Sequence, residues 1–287
     1  VTTVPLRDAA TVMLVRDGVQ GVEVFMLRRN LNSDFVGGAY VFPGGAVDDH
    51  DRHENLDRVC RGRSDAEAST QLGIDSGGLA YWVAAVRECF EEAGVLLAYD
   101  PNGDMMRLDE PATEARFVEH RRAVDTSERR LVEICDDEQL QLAVDHMYYF
   151  SHWITPEGAP RRYDTRFFVA AAPEAQEPLH DDHEVIANVW IRPTVALARH
   201  RAGEFDLIFP TIRSLEALER FESADDVLTA AAAIQSVPAI LPRIVEDHGG
   251  YRIVLPGDPG YDEIVPVVLP HGLPMNELIT TRAGEAD

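Results

Sequence analysis

The sequence predicts an α/β fold, a mixed β-sheet held between helices. Three observations carry that expectation. Two apolar, β-branched runs near the N-terminus are joined by a short turn. The stretch 79–98 repeats apolar residues at helical spacing, and three further strand-like runs follow it before more helical sequence. Strands, one central helix, more strands and a closing helix is the order of a layered α/β domain. A chain of 287 residues suffices for one large domain or two small ones. We assign residues 1–204 to the domain body, with insertions at about 46–78 and 100–147. Residues 205–287 are assigned to a C-terminal helical and β-rich extension packed on the same domain.

The elements follow in order. AATVMLVR (9–16) and VEVFMLR (22–28) read as a hairpin closed by DGVQG. A loop with paired glycines at 37–38 and 44–45 surrounds a short strand, Ala39 to Phe42. Residues 48–78 are acidic and glycine-spotted without clear period, an excursion from the body. From Leu79, Val83, Val86, Phe90, Ala93 and Leu97 recur at steps of three and four and form a buried stripe. Gly94 lets the chain leave that helix early. Residues 110–147 form one or two charged helices. Strands are expected at 148–155, 164–172 and 185–191, then a short helix at 193–201 with Pro193 in its first turn. Two helical stretches near 211–222 and 224–235 precede a proline-rich β tail. The alanine-rich stretch 228–234 is a packing surface, for the domain itself or for a second copy in a homodimer. Trp82 and Trp190 read as core or core-edge residues.

Charge excludes some classes of partner. Fifty acidic residues against 26 basic ones leave a formal charge of −24. That field disfavours sequence-independent binding to nucleic acid, which needs cations on phosphates, and docking on an anionic membrane. A small phosphorylated substrate still binds where metal ions or local arginines reverse the field in one pocket. All the basic residues are arginine. Cys60, Cys89 and Cys135 are odd in number, widely spaced and without a CxxC pair, which points to a reducing cytoplasm. No apolar run reaches the roughly 18 residues of a membrane span.

The helix carries an unusual concentration of acid. Glu88, Glu91 and Glu92 lie within five positions, and like charges four apart repel. Steps of three and four let Glu88 share a face with both others. Clustered carboxylates on a rigid helix suit a hard divalent cation such as Mg²⁺, with room left for water and phosphates. Arg87, four positions before Glu91, is placed to hold a carboxylate by a forked hydrogen bond. His-and-acid runs at 50–54 and 181–184 lack any HExxH or Cys–His pattern and read as flexible acidic loops.

The string Arg87-Glu88-Cys89-Phe90-Glu91-Glu92-Ala93-Gly94-Val95 resembles the second half of the Nudix box, REUxEExGU. Phe42-Pro43-Gly44-Gly45 supplies the turn that opens the first half, and Asp51 stands where the family has a Glu. Gly45 and Arg87 are 42 positions apart, about 28 more than in an uninterrupted box. An interrupted box is similar to the branch typified by the CoA diphosphatases called Nudix motif nineteen, and GAYVFPGGAVD, FEEAGVLL, HWITP and RRYDTRFFVA add to the likeness. The resemblance implies a Nudix-type α/β/α sandwich and metal-dependent hydrolysis of a nucleoside diphosphate linked to another moiety X. By the resemblance Glu91 and Glu92 are metal ligands, Glu88 a ligand or the base, the Gly45 carbonyl a further ligand and Arg87 the orienting partner. Glu184 stands where many relatives carry an extra acidic residue, and it is the other candidate base. Mg²⁺ or Mn²⁺ is the implied cofactor, acidifying the attacking water and screening the diphosphate.

CoA or acyl-CoA is the leading expectation for the substrate. Arg29, Gly38 and FPGG fall at spacing compatible with CoA-cleaving relatives, whereas Ser33-Asp34 stands where those relatives carry an apolar-Arg pair. The alternatives are a nucleotide-sugar or dinucleotide pyrophosphatase, or a Nudix-like module that binds a nucleotide without cutting it. Arg161, Arg162 and Arg166 are candidate phosphate contacts, with surface solvation expected for at least two of them. Arg29, Arg161 and Arg166 complete the expected substrate set.

Overall fold

The computed structural model describes residues 4–30, 37–178, 185–247 and 250–265. The N-terminal hairpin is β1 (Leu6–Gly18) and β2 (Gly21–Arg29), followed by β3 (Tyr40–Val41) and β4 (Gly44–Ala46). The excursion that follows contains two short helices, α1 (Leu56–Val59) and α2 (Asp65–Leu72), before α3 (Leu79–Ala93). β5 (Ala98–Tyr99), α4 (Pro111–Asp125), α5 (Leu131–Glu138) and β6 (Gln141–Leu142) form the second insertion. β7 (Tyr148–Ile154), β8 (Arg162–Ala171) and β9 (Val185–Ile191) lead to α6 (Pro193–Arg201), α7 (Phe209–Leu218) and α8 (Ala224–Ala232). β10 (Ala239–Ile240) and the hairpin β11 (Arg243–Asp247)–β12 (Gly250–Val254) close the described chain.

The main sheet runs β10-β7-β8-β1-β2-β3, with β4 also on β1 and β9 on β2. It is mixed: β1 pairs parallel with β8 and antiparallel with β2 and β4. Alternation along the strands sends side chains to two separate cores. Val12, Leu14, Phe25, Leu27, Phe168 and Ala170 face the layer of α3, where Trp82 and Phe90 are buried. Met13, Val15, Val24, Met26 and Val169 face the layer of α6, α7 and α8. The expected sandwich is therefore present. Its outer helices on the second side come largely from the C-terminal extension. Ala224, Val227 and Ala231 of α8 pack into this chain's own core.

The first insertion is more ordered than its composition suggests, because it caps the central helix. Asp65, in the first turn of α2, accepts from the backbone amides of Gly77 and Leu79 at 2.9 and 3.0 Å, meeting donors that the start of α3 leaves unsatisfied. At the other end, Gly94 sits at φ +68°, and α3 stops there although the apolar stripe continues to Leu97. Trp82 donates its indole N–H to the Met147 carbonyl and packs on Phe168 at 4.5 Å between ring centroids. Trp190 packs on Phe25 at the rim of the same core.

Candidate active site

One cleft of about 470 Å³ is lined by β4, the outer face of α3, the α4–α5 corner and parts of the C-terminal extension. The carboxylates of α3 stand in it. Arg87 is 7% exposed and organises them. Its Nε and Nη2 donate to the two oxygens of Asp51 at 2.8 and 2.9 Å, its Nη1 to Glu88 and Glu91 at 2.9 and 2.8 Å, and its Nη2 also to the Ala46 carbonyl. Glu92 is held separately, accepting from the Gly44 amide at 2.9 Å. The insertion thus places Asp51 against Arg87 as a two-pronged pair, across the interruption of the box.

Electrostatics follow from this crowding. Burial works against the Arg87 charge, yet the hydrogen bond to Asp51 and the charges of Glu88, Asp51 and Glu91 more than offset it and hold the guanidinium ionised. Burial pushes the Glu91 carboxyl up; Arg87 pulls it down, Glu88 raises it again, and the balance lies at about 8. Gly45 lies against the same cluster: a Cβ there would meet Glu88 Oε1 at 2.4 Å. That close approach needs glycine.

Glu88, Glu91, Glu92 and the Gly45 carbonyl are all hard oxygen donors, a set that fits Mg²⁺ or Mn²⁺. Among the described residues no three acidic, histidine or cysteine side chains already converge as a metal cage. The reason is visible: Glu88 and Glu91 turn to Arg87, and Glu92 turns to Gly44.

The other expected residues divide. Arg29 and Arg161 both line the cleft. Arg166 does not. It is 4% exposed, projects to the α3 side of the sheet, pairs with Asp164 and His152, and lies over the Tyr81 ring. A substrate contact at Arg166 is therefore corrected to a buried structural pair. Surface solvation is corrected too, since Arg162 is 8% exposed and donates to the Thr155 carbonyl. The loop reading of 50–54 gives way at Asp51, which is 1% exposed. Glu184, the 181–184 run and Ser33-Asp34 lie outside the described residues. Two cleft cations were not anticipated, Arg129 and Arg130 at the α4–α5 corner. Their signal was the Arg-Arg pair in the turn between two helical segments.

A solved Nudix hydrolase from Alicyclobacillus acidocaldarius has a similar fold, with a TM-score of 0.66 and 27% identity over 82% of this chain and 99% of that one. Fold and carboxylate helix together define the Nudix class. The chain belongs to the NUDT19 Nudix domain family, whose sequence profile matches residues 61–218. Two relatives are the acyl-coenzyme A diphosphatases NUDT19 of Gallus gallus and Homo sapiens, each 27% identical. The first alignment covers 90% of this chain and 80% of the relative, the second 85% and 73%.

Proposed function

We propose that the chain hydrolyses the diphosphate of CoA or an acyl-CoA to an (acyl-)phosphopantetheine and adenosine 3′,5′-bisphosphate. One observation supports this most: three carboxylates of one helix, two held by Arg87 and Glu92 by the Gly44 amide, stand in a cleft large enough for an extended substrate. The names of the relatives favour CoA among diphosphates.

When bound, Mg²⁺ or Mn²⁺ supplies charge neutralisation of the diphosphate and a more acidic attacking water. The protein's own groups do the rest. Glu91, Glu92, the Gly45 carbonyl and, where it is not the base, Glu88 would hold the cation, and Arg87 orients Glu88 and Glu91. Arg29 and Arg161 receive the phosphates by charge-assisted hydrogen bonds. Glu88 or Glu184 takes the proton from water as it adds to one phosphorus and the bridging P–O bond breaks, leaving two phosphomonoesters. The cytoplasm is the proposed setting, supported by three free, buried cysteines.

Mass spectrometry of products tests the reading. The full chain with Mg²⁺ or Mn²⁺ meets CoA, acyl-CoA, NADH, ADP-ribose, nucleotide sugars and dinucleotide polyphosphates, beside Glu91→Gln and Glu92→Gln variants. Metal-dependent cleavage of CoA species, lost in both variants, is the expected result. Cleavage of another substrate alone discards CoA. Nucleotide binding without any cleavage replaces the enzyme with a binding module.

A further inference from the structure

The cleft is divided by polarity along the chain. Among the described residues, every charged residue that lines it lies at or before Arg161. The described residues of the C-terminal extension contribute Ile208, Phe209, Pro210, Pro242, Ile244 and Ile253 with one hydroxyl, Thr211, and no charge. Ile244 and Ile253 face each other across the β11–β12 ladder and are 2% and 8% exposed. This hairpin stands apart from the main sheet and outside the residues matched by the family profile. A lone two-stranded hairpin is marginal in water, so packing onto the rest of the protein must hold it in place.

A second observation lies where that wall meets the sheet. Trp153 lines the cleft, is 5% exposed, and packs edge-on against Phe209 at 5.8 Å. Its indole N–H is buried without a hydrogen-bond partner. An apolar wall with one unused donor is a poor match for a sugar or a second nucleoside. Each hydroxyl left unmatched there would cost about tenfold in binding. An arm of methylenes interrupted by amide or thioester carbonyls matches it.

We propose that the C-terminal hairpin is the subsite for the apolar arm of X, with Ile244 and Ile253 reading an acyl chain and Trp153 Nε1 donating to a carbonyl of the arm. This rests on the diphosphate-hydrolase reading above and adds the part of the chain that selects among its substrates.

The test compares kcat/KM for free, butyryl-, octanoyl- and dodecanoyl-CoA in the wild type, Ile253→Ser and Ile253→Phe. Calorimetry of S-octanoyl-pantetheine, which carries no diphosphate and needs no metal, runs beside it. Wild-type kcat/KM should rise with chain length, by up to about fourfold per buried methylene. Ile253→Ser should flatten the slope, and Ile253→Phe should cut off the longest chain. The slope is the readout, so a general loss of rate does not imitate it. A flat wild-type series, or one unchanged in both variants, overturns the proposal. If Ile253→Ser does not fold, Ile253→Phe decides. If no CoA species is cleaved, the function reading falls by itself and calorimetry judges the wall. S-octanoyl-pantetheine binding that weakens about tenfold in a folded Ile253 variant upholds it, and no binding to the wild type overturns it.

Discussion

Arg87 and Asp51 lie 36 positions apart and meet as a two-pronged ion pair, Nε and Nη2 on the two carboxylate oxygens at 2.8 and 2.9 Å. Their exposures of 7% and 1% put the pair inside the protein, so removing one partner strands the other. Asp51→Asn should cost about 3–5 kcal/mol in urea unfolding. It should also lower kcat, because Arg87 loses its anchor while still holding Glu88 and Glu91. Asp51→Glu restores the charge but adds a methylene at a closed position, and about 1–3 kcal/mol of overpacking should remain.

Gly45 and Gly44 are neighbours with opposite expected outcomes. A Cβ on Gly45 meets the far end of the Glu88 side chain, with contacts of 2.4–2.7 Å. That carboxylate swings aside cheaply, so Gly45→Ala should fold normally, with Tm within a few degrees, yet lose activity by about 100-fold. A Cβ on Gly44 instead meets the Thr11 side chain and β1 backbone at 2.4–2.7 Å, where β4 pairs with β1. Gly44→Ala should lower Tm as well as rate. Parallel melting curves and steady-state kinetics separate the two.

The central helix and its carboxylates were legible because helical spacing and the box are local properties of the chain. The order of α1 and α2 was not, since it comes from docking: Asp65 reaches the amides of Gly77 and Leu79 rather than making a periodic stripe. Arg166 was misplaced for a different reason. Along β8, Arg162, Asp164 and Arg166 alternate with Tyr163, Thr165 and Phe167. Alternation reveals two faces without saying which one meets the cleft. The apolar wall at Ile244 and Ile253 depends on contacts across much of the chain, and no local pattern carries them.

Asp164 gives a pH-dependent prediction away from the carboxylate cluster. Burial pushes its carboxyl up, but the hydrogen bond with His152 and the Arg166 charge outweigh that and hold it below the usual range. A depressed folded pKa contributes stability that is present above the unfolded value, about 3.9, and is lost as pH falls through the folded one. Asp164→Asn should therefore be destabilised by about 2 kcal/mol at pH 7. That is less than a fully buried pair would cost, since the Asp164 side chain is 21% exposed. The gap to wild type should narrow as pH falls below about 3.9 and through the lower folded value. A gap that persists in acid would assign the effect to packing.

Arg130 makes no salt bridge among the described residues and lines the cleft beside Arg129, which pairs with Asp137 at 2.6 Å. In a chain of formal charge −24, a cleft guanidinium with no ion pair among the described residues is a candidate phosphate contact. Hydrogen bonds to charged groups are worth about 1.5–3 kcal/mol, so Arg130→Gln should raise KM by about 10- to 100-fold. kcat should stay within a few-fold, because the guanidinium acts on the bound substrate and the transition state alike. Arg129→Gln should do less, since its guanidinium is already shared with Asp137. Added salt discriminates further: the wild-type KM should rise with ionic strength, and the Arg130→Gln value should rise less. A variant whose KM is unchanged and whose salt response matches the wild type would leave Arg130 as a surface residue of the α4–α5 corner.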